Sequence, residues 1–172
     1  GTRGICFIGK LDFKSFLKNR IKEKQGKVLS PEGRVIGTHP GIYYFTIGER
    51  IRESKNIVIN QEYRRNNASK KLYIAKKIIN KNILIIAPES HHILKTKVIK
   101  LSSLHLINPK EKISNNLKVK IRHMGSLLSG KLKKVGTEYT FTFSNPQEGV
   151  AEGQFIVFYH KNKVLGCGEI KA

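Results

Sequence analysis

Phe155-Ile156-Val157-Phe158-Tyr159-His160-Lys161-Asn162-Lys163-Val164-Leu165-Gly166-Cys167-Gly168-Glu169-Ile170 is the stretch that decides the fold of the C-terminal half. Residues 155–160 and 163–170 are rich in the branched and aromatic side chains that suit strands, and Lys161-Asn162 between them reads as a turn. Working backwards, residues 138–143, 130–135, 117–123, 104–107 and 98–101 give the same signal. Asn145-Pro146, Asn115-Asn116 and Asn108-Pro109 supply further turns. Short antiparallel strands in this number close most simply into a small barrel, because closure removes unpaired edges.

The first half reads differently. Asp12 is placed to cap a helix running to about Lys24, with Phe13, Phe16, Leu17 and Ile21 on one side and Gly26 ending it. Val28-Leu29, the Ser30-Pro31-Glu32-Gly33 turn and Val35-Ile36 read as a hairpin. Residues 42–47 have the content of a buried strand. Residues 48–71, with many basic side chains around Asn66-Asn67, read as a loop-rich, partly mobile insertion. A second hairpin is expected from residues 72–79 and 83–87 around Asn80-Lys81-Asn82. A boundary falls near residues 88–98. The expectation is an α+β central domain over residues 1–95, followed by an all-β antiparallel barrel over residues 96–172.

Charge narrows the function. The 172 residues carry 33 Lys and Arg against 12 Asp and Glu, a formal net charge of +21. Such a surface attracts polyanions, nucleic acid or an anionic membrane first among them. With 39% hydrophobic residues the chain has material for a core, so it is not a disordered basic tail. No apolar run reaches the roughly 18 residues of a membrane span. Gly1-Thr2-Arg3-Gly4 has neither a signal-peptide pattern nor an initiating Met, so the chain is expected to start inside a longer protein. The two cysteines, Cys6 and Cys167, make no disulfide framework and fit a reducing compartment.

Cys6 is the side chain with the most chemistry. A thiol between glycines, close to Arg3, can be an accessible thiolate that holds a persulfide; its plain alternative is a small core residue between Ile5 and Phe7. Cys167, flanked by Gly166 and Gly168, reads as buried and structural. His91-His92 offers little for a metal, since neighbours on an extended chain point apart. His39 reads as a turn or surface residue, and glycines 37, 41 and 48 form no phosphate loop. The 50–71 segment and the Lys118-Lys120-Arg122-His123 stretch are candidates for phosphate contact, with nearby Tyr and His able to stack on bases. Gln154 can address RNA with a donor and an acceptor, or equally satisfy a barrel turn.

Ordered blocks along nearly the whole chain resemble bacterial and organellar tRNA-specific 2-thiouridylases. They are Gly4-Ile5-Cys6-Phe7-Ile8-Gly9 with Asp12-Phe13 and Phe16-Leu17, then Gly26-Lys27, Gly33-Arg34-Val35-Ile36-Gly37, His39, and residues 41–50. Gly153-Gln154, Val157-Phe158-Tyr159 and residues 164–168 continue the likeness. The resemblance implies a sulfurtransferase that uses ATP and a persulfide to convert the wobble uridine of tRNA to 2-thiouridine. Cys6 would then be the catalytic cysteine that carries the persulfide and later forms a disulfide with a first catalytic cysteine. Arg122, His123 and Gln154 would contact tRNA.

ATP would be held by an N-terminal ATP-pyrophosphatase domain, whose Ser-Gly-Gly-x-Asp-Ser loop is not in this sequence, so this chain alone is expected to bind no cofactor or metal and to be inactive. The implied partners are tRNA, a persulfide-donor protein and that domain, in cytoplasm or an organelle, with no membrane. Departures from the family pattern are Glu49 for Gln, His123 for Tyr, Cys167 for Gly, and the basic 54–71 segment in place of a glycine-rich continuation. The alternative readings are a non-catalytic RNA-binding module and a structural adaptor in an RNA-modifying assembly.

Overall fold

The computed structural model describes residues 16–17, 19–52, 57–110, 113–114, 116–122 and 125–171. The chain divides into two compact units, one ending at Leu94 and the other starting at Lys95.

The first unit is built on an open sheet. Its strands are β1 (Gly26–Leu29), β2 (Val35–His39), β3 (Arg50–Ile51), β4 (Val58–Ile59), β5 (Leu72–Ile78) and β6 (Ile83–Pro88), in the order β3-β5-β6-β1-β2-β4. β1 runs parallel to β6 and antiparallel to β2. The β1–β2 hairpin turns where expected, with Gly33 at φ 85° and its N–H donating to the Ser30 carbonyl. β5 and β6 form the second expected hairpin, which Asn82 closes in a left-handed conformation at φ 53°. Val28, Ile74, Leu84 and Ile86, none measurably exposed, centre the core.

The α+β reading of the first unit is not confirmed: among the described residues its regular structure is mostly strand. The expected helix begins outside the described residues, and although Phe16 and Leu17 are helical, residues 19–21 turn and residues 22–25 are irregular. Tertiary partners hold this stretch instead. The Tyr44 hydroxyl donates to the Ile21 carbonyl, and the Asn82 side-chain amide donates to the Lys24 and Gln25 carbonyls, each at 3.0 Å. Gly26 therefore opens β1, and a Cβ there would overlap the Asn82 carbonyl and the His39 ring.

Two further expectations change. Residues 42–47 are buried in part but not a strand: Ile42–Tyr44 is a single 3-10 turn, entered from Gly41, where a Cβ would press on the Tyr44 ring at 2.8 Å. The segment expected to be loop-rich carries β3, β4 and a short helix, α1 (Gln61–Asn66). Asn60 caps α1 by accepting from the Tyr63 N–H at 2.9 Å.

The second unit is the expected antiparallel barrel. β7 (Lys95–Leu106), β8 (Asn116–Lys120), β9 (Leu128–Val135), β10 (Glu138–Glu148), β11 (Phe155–His160) and β12 (Lys163–Lys171) close in the order β10-β7-β12-β11-β8-β9. The two strands expected at 98–101 and 104–107 are one, β7. Asn145-Pro146 is not a turn but part of β10, where the register with β7 shifts between Thr142 and Gln147. Strand alternation sends Leu117, Val119, Leu132, Ile156 and Phe158 inward. Phe141 and Phe143 meet edge to face at 5.1 Å, and Phe158 lies 6.1 Å from Phe141. Gly130 makes room for this cluster, since a Cβ there would run into the Phe141 ring and the Thr142 carbonyl.

Candidate nucleic-acid interface

Arg122 follows β8. One of its guanidinium nitrogens, Nη2, donates to the Gly149 carbonyl at 3.0 Å. Gly149 has φ 67°, and a Cβ there would overlap that same nitrogen, so glycine is required both by the backbone and by the arginine resting on it.

Gln154 closes the same β10–β11 connection. Its Oε1 accepts from the Ala151 N–H at 3.3 Å, its carbonyl accepts from the Ile170 N–H at 2.8 Å, and Gly153 before it has φ 78°. The turn-satisfying alternative is thus realised for its acceptor. Arg122 and Gln154, 32 residues apart in sequence, are brought to one connection, residues 149–154. His123, and Cys6 with Arg3, lie outside the described residues.

The outer surface of the barrel carries a second feature. Alternation along β8 leaves Lys118 exposed between buried Leu117 and Val119. Lys118 stands opposite Tyr159 of β11 on one side and Ser129 of β9 on the other. A cleft of about 620 Å³ here is lined by Lys118, Lys131, Lys161, Tyr159 and His160 among others. It offers cations for phosphates and rings for bases. Lys118 and its aromatic neighbours are legible from sequence; Lys131 joins them only through the β8–β9 register, which pairs it with Asn116.

The first unit has a larger basic cleft, of about 850 Å³. Arg50, Arg52, Arg64, Arg65, Lys70 and Lys71 line it, and among the described residues no acidic side chain does. Ile59 of β4 lines it too, so the sheet curls until its two edge strands face one space.

Cys167, a free thiol, is half-buried on β12 rather than fully buried, and lies opposite His105. Its glycine neighbours permit close strand packing: a Cβ on Gly166 would strike the His105 carbonyl, and one on Gly168 would sit 2.9 Å from Leu101 Cδ1. His39 is not a surface residue. It is 2% exposed at the end of β2, with Nε2 3.2 Å from the Asn82 carbonyl and its ring edge-on to Phe45. Burial lowers its pKa below 6.5, against the opposing effect of backbone hydrogen bonds.

His91 and His92 do not point apart, because the chain turns there; their rings stack at 4.4 Å. Among the described residues no three His, Cys, Asp or Glu side chains gather as a metal site, and no helix is long and apolar enough to cross a membrane.

With the geometry established, comparison with known proteins finds matches for both units. A family model described as a tRNA methyl transferase PRC-barrel domain matches residues 14–88. One described as an aminomethyltransferase beta-barrel domain matches residues 96–170. Relatives named tRNA-specific 2-thiouridylase MnmA align along almost the entire chain. The Pseudomonas aeruginosa protein is 32% identical over 172 residues, covering 99% of this chain and 44% of its own length. The Malacoplasma penetrans protein is 34% identical with the same coverage, and the Karelsulcia muelleri protein is 34% identical over 98% of this chain and 49% of its own. The chain belongs to the tRNA-specific 2-thiouridylase family and spans less than half the length of these relatives.

Proposed function

We propose that the chain is the tRNA-gripping and sulfur-delivering portion of a tRNA 2-thiouridylase. The observation that carries this reading is the alignment of 2-thiouridylases along 99% of the chain. The cationic clefts of both units support it, since phosphate contacts fix the register of an RNA on its protein.

In this reading Arg122, His123 and Gln154 hold the tRNA. Gly149 sets where the Arg122 guanidinium points, and the Gln154 amide donates from a backbone-locked turn. Cys6 supplies the chemistry as a persulfide formed from a donor protein. ATP, bound by the ATP-pyrophosphatase domain, activates C2 of the wobble uridine as an adenylate.

The terminal sulfur of the Cys6 persulfide attacks C2, a C–S bond forms, and AMP leaves. A second cysteine's thiolate then attacks the Cys6 sulfur, the S–S bond breaks, and 2-thiouridine departs. The two cysteines are left as a disulfide, which a thiol reductant must reopen before another turnover. The reaction takes place where tRNA is modified, in the cytoplasm or an organelle.

The test is a titration of this chain with folded tRNA at several salt concentrations. Affinity should fall linearly on logarithmic axes, with a slope of about −0.9 per phosphate neutralised. Arg122→Ala should weaken binding while circular dichroism stays unchanged. Absence of binding at low salt, or binding indifferent to salt, overturns the RNA-gripping role.

A further inference from the structure

We propose that the cleft between β3, α1 and the start of β5 is a separate phosphate-gripping site for the RNA backbone, a site beyond Arg122, His123 and Gln154. The proposal rests on the RNA-binding reading and adds a location to it.

Six cations converge on one concave space of about 850 Å³, with no acidic side chain among the described residues that line it. Ordinary solvation of a charged surface does not require convergence, and like charges within the ~8 Å Debye length of physiological salt repel one another. Complementing the carbonyl end of α1 accounts for Arg64 and Arg65 in its last turn. It does not account for Arg50 and Arg52, which come from β3 and the residue after it, nor for Lys70 and Lys71 beyond the helix.

The backbone that presents these charges is tied down. β3 pairs with β5 through Arg50–Tyr73 and Ile51–Leu72. After α1, the N–H groups of Asn67, Ala68 and Lys70 donate to the Arg64, Arg65 and Asn67 carbonyls, and the Asn67 side chain donates to Tyr63. The Glu89 N–H donates to the Lys71 carbonyl at 2.7 Å, fixing the entry to β5.

Some of the charge already has a partner. Lys71 lies 3.4 Å from Glu89, and Arg65 donates to Gln61 at 3.4 Å. Arg50, Arg52 and Lys70, all exposed, are therefore the donors assigned to phosphates.

The experiment compares the wild-type chain, the triple variant Arg50→Gln/Arg52→Gln/Lys70→Gln and Arg122→Ala in tRNA titrations across salt. All three cleft positions are exposed, so circular dichroism should be unchanged. The triple variant should bind tRNA at least about tenfold more weakly at low salt, and its logarithmic salt slope should be shallower by about 2–3, one unit per lost phosphate contact. Should the triple variant unfold, Lys70→Gln alone should lower the slope by about 1.

Wild-type affinity and slope in the triple variant, while Arg122→Ala weakens binding, overturn the cleft and leave the RNA reading standing. Failure of the wild-type chain to bind tRNA overturns both. Vesicles of phosphatidylserine and phosphatidylcholine form the last arm. If the triple variant loses vesicle binding but keeps tRNA binding, the cleft is a membrane contact and the proposal is wrong.

Discussion

Replacing Gly149 with alanine tests how Arg122 is held. Two costs are expected. The first is backbone strain, because a side chain at φ 67° lies in the left-handed region, at about 1–2 kcal/mol. The second is displacement of the Arg122 guanidinium, whose Nη2 occupies the space of the new Cβ and whose 3.0 Å bond to the Gly149 carbonyl is lost. At this partly solvated site that bond is worth about 0.5–1.5 kcal/mol.

Gly136 provides the control. Its φ is 62°, and a Cβ there would meet no heavy atom within 4 Å, so Gly136→Ala reports strain alone. Urea denaturation should therefore find Gly149→Ala about 1 kcal/mol more costly than Gly136→Ala. In an Arg122→Ala background the excess should vanish, and in the wild-type background Gly149→Ala should also weaken tRNA binding. Equal costs at the two glycines, or an excess that survives removal of Arg122, would refute the packing argument.

Other consequences follow from the two cores. Phe158→Ala removes a fully buried ring from the barrel's aromatic cluster and should cost about 3–5 kcal/mol in urea, leaving the barrel unfolded or marginal; a cost below 1 kcal/mol would contradict the assigned packing. His39 has a folded pKa below its ordinary 6.5, so its neutral form is the one the fold accepts. Stability should be whole above about pH 6.5 and fall as pH drops through the lower folded value, because the unfolded chain takes up the proton first. Between pH 7.5 and 5.5 the urea midpoint should drop further in the wild type than in His39→Gln; identical drops would remove His39 from the account.

The barrel was largely legible because strand propensity and turn residues are local properties. Residues 155–160 and 163–170 read as strands about Lys161-Asn162, and they form β11 and β12 about that turn. The first unit was less legible because distant residues decide its local structure. Ile42, Tyr44 and Phe45 are buried as an apolar run should be, yet a run this short does not distinguish a strand from an irregular turn. Residues 21–25, expected as the last turns of a helix, are turn and irregular chain held by Tyr44 and by Asn82, which lies 58 residues on from Lys24.

α1 shows almost no apolar periodicity; Asn60 as cap, with Glu62 in the first turn, was the signal available for it. The basic residues of the 50–71 segment were evident, whereas their convergence depends on the curl of the sheet. Arg122 was evident as a charge, but its support by Gly149 was not, since that contact crosses from the end of β8 to the end of β10.

The central claim is that this chain delivers sulfur to tRNA through Cys6, and the most direct measurement is 2-thiouridine formation by the complete enzyme, with the ATP-pyrophosphatase domain supplied. Wild type, Cys6→Ser and Cys167→Ser are compared, with adenylation and tRNA binding followed in parallel. A serine hydroxyl cannot hold a persulfide, so Cys6→Ser should abolish 2-thiouridine while adenylation and tRNA binding persist. Cys167→Ser should retain thiolation, because the thiol on β12 is free and its neighbours serve strand packing. Full thiolation by a folded Cys6→Ser enzyme would contradict the account and leave the chain as a non-catalytic RNA-binding module.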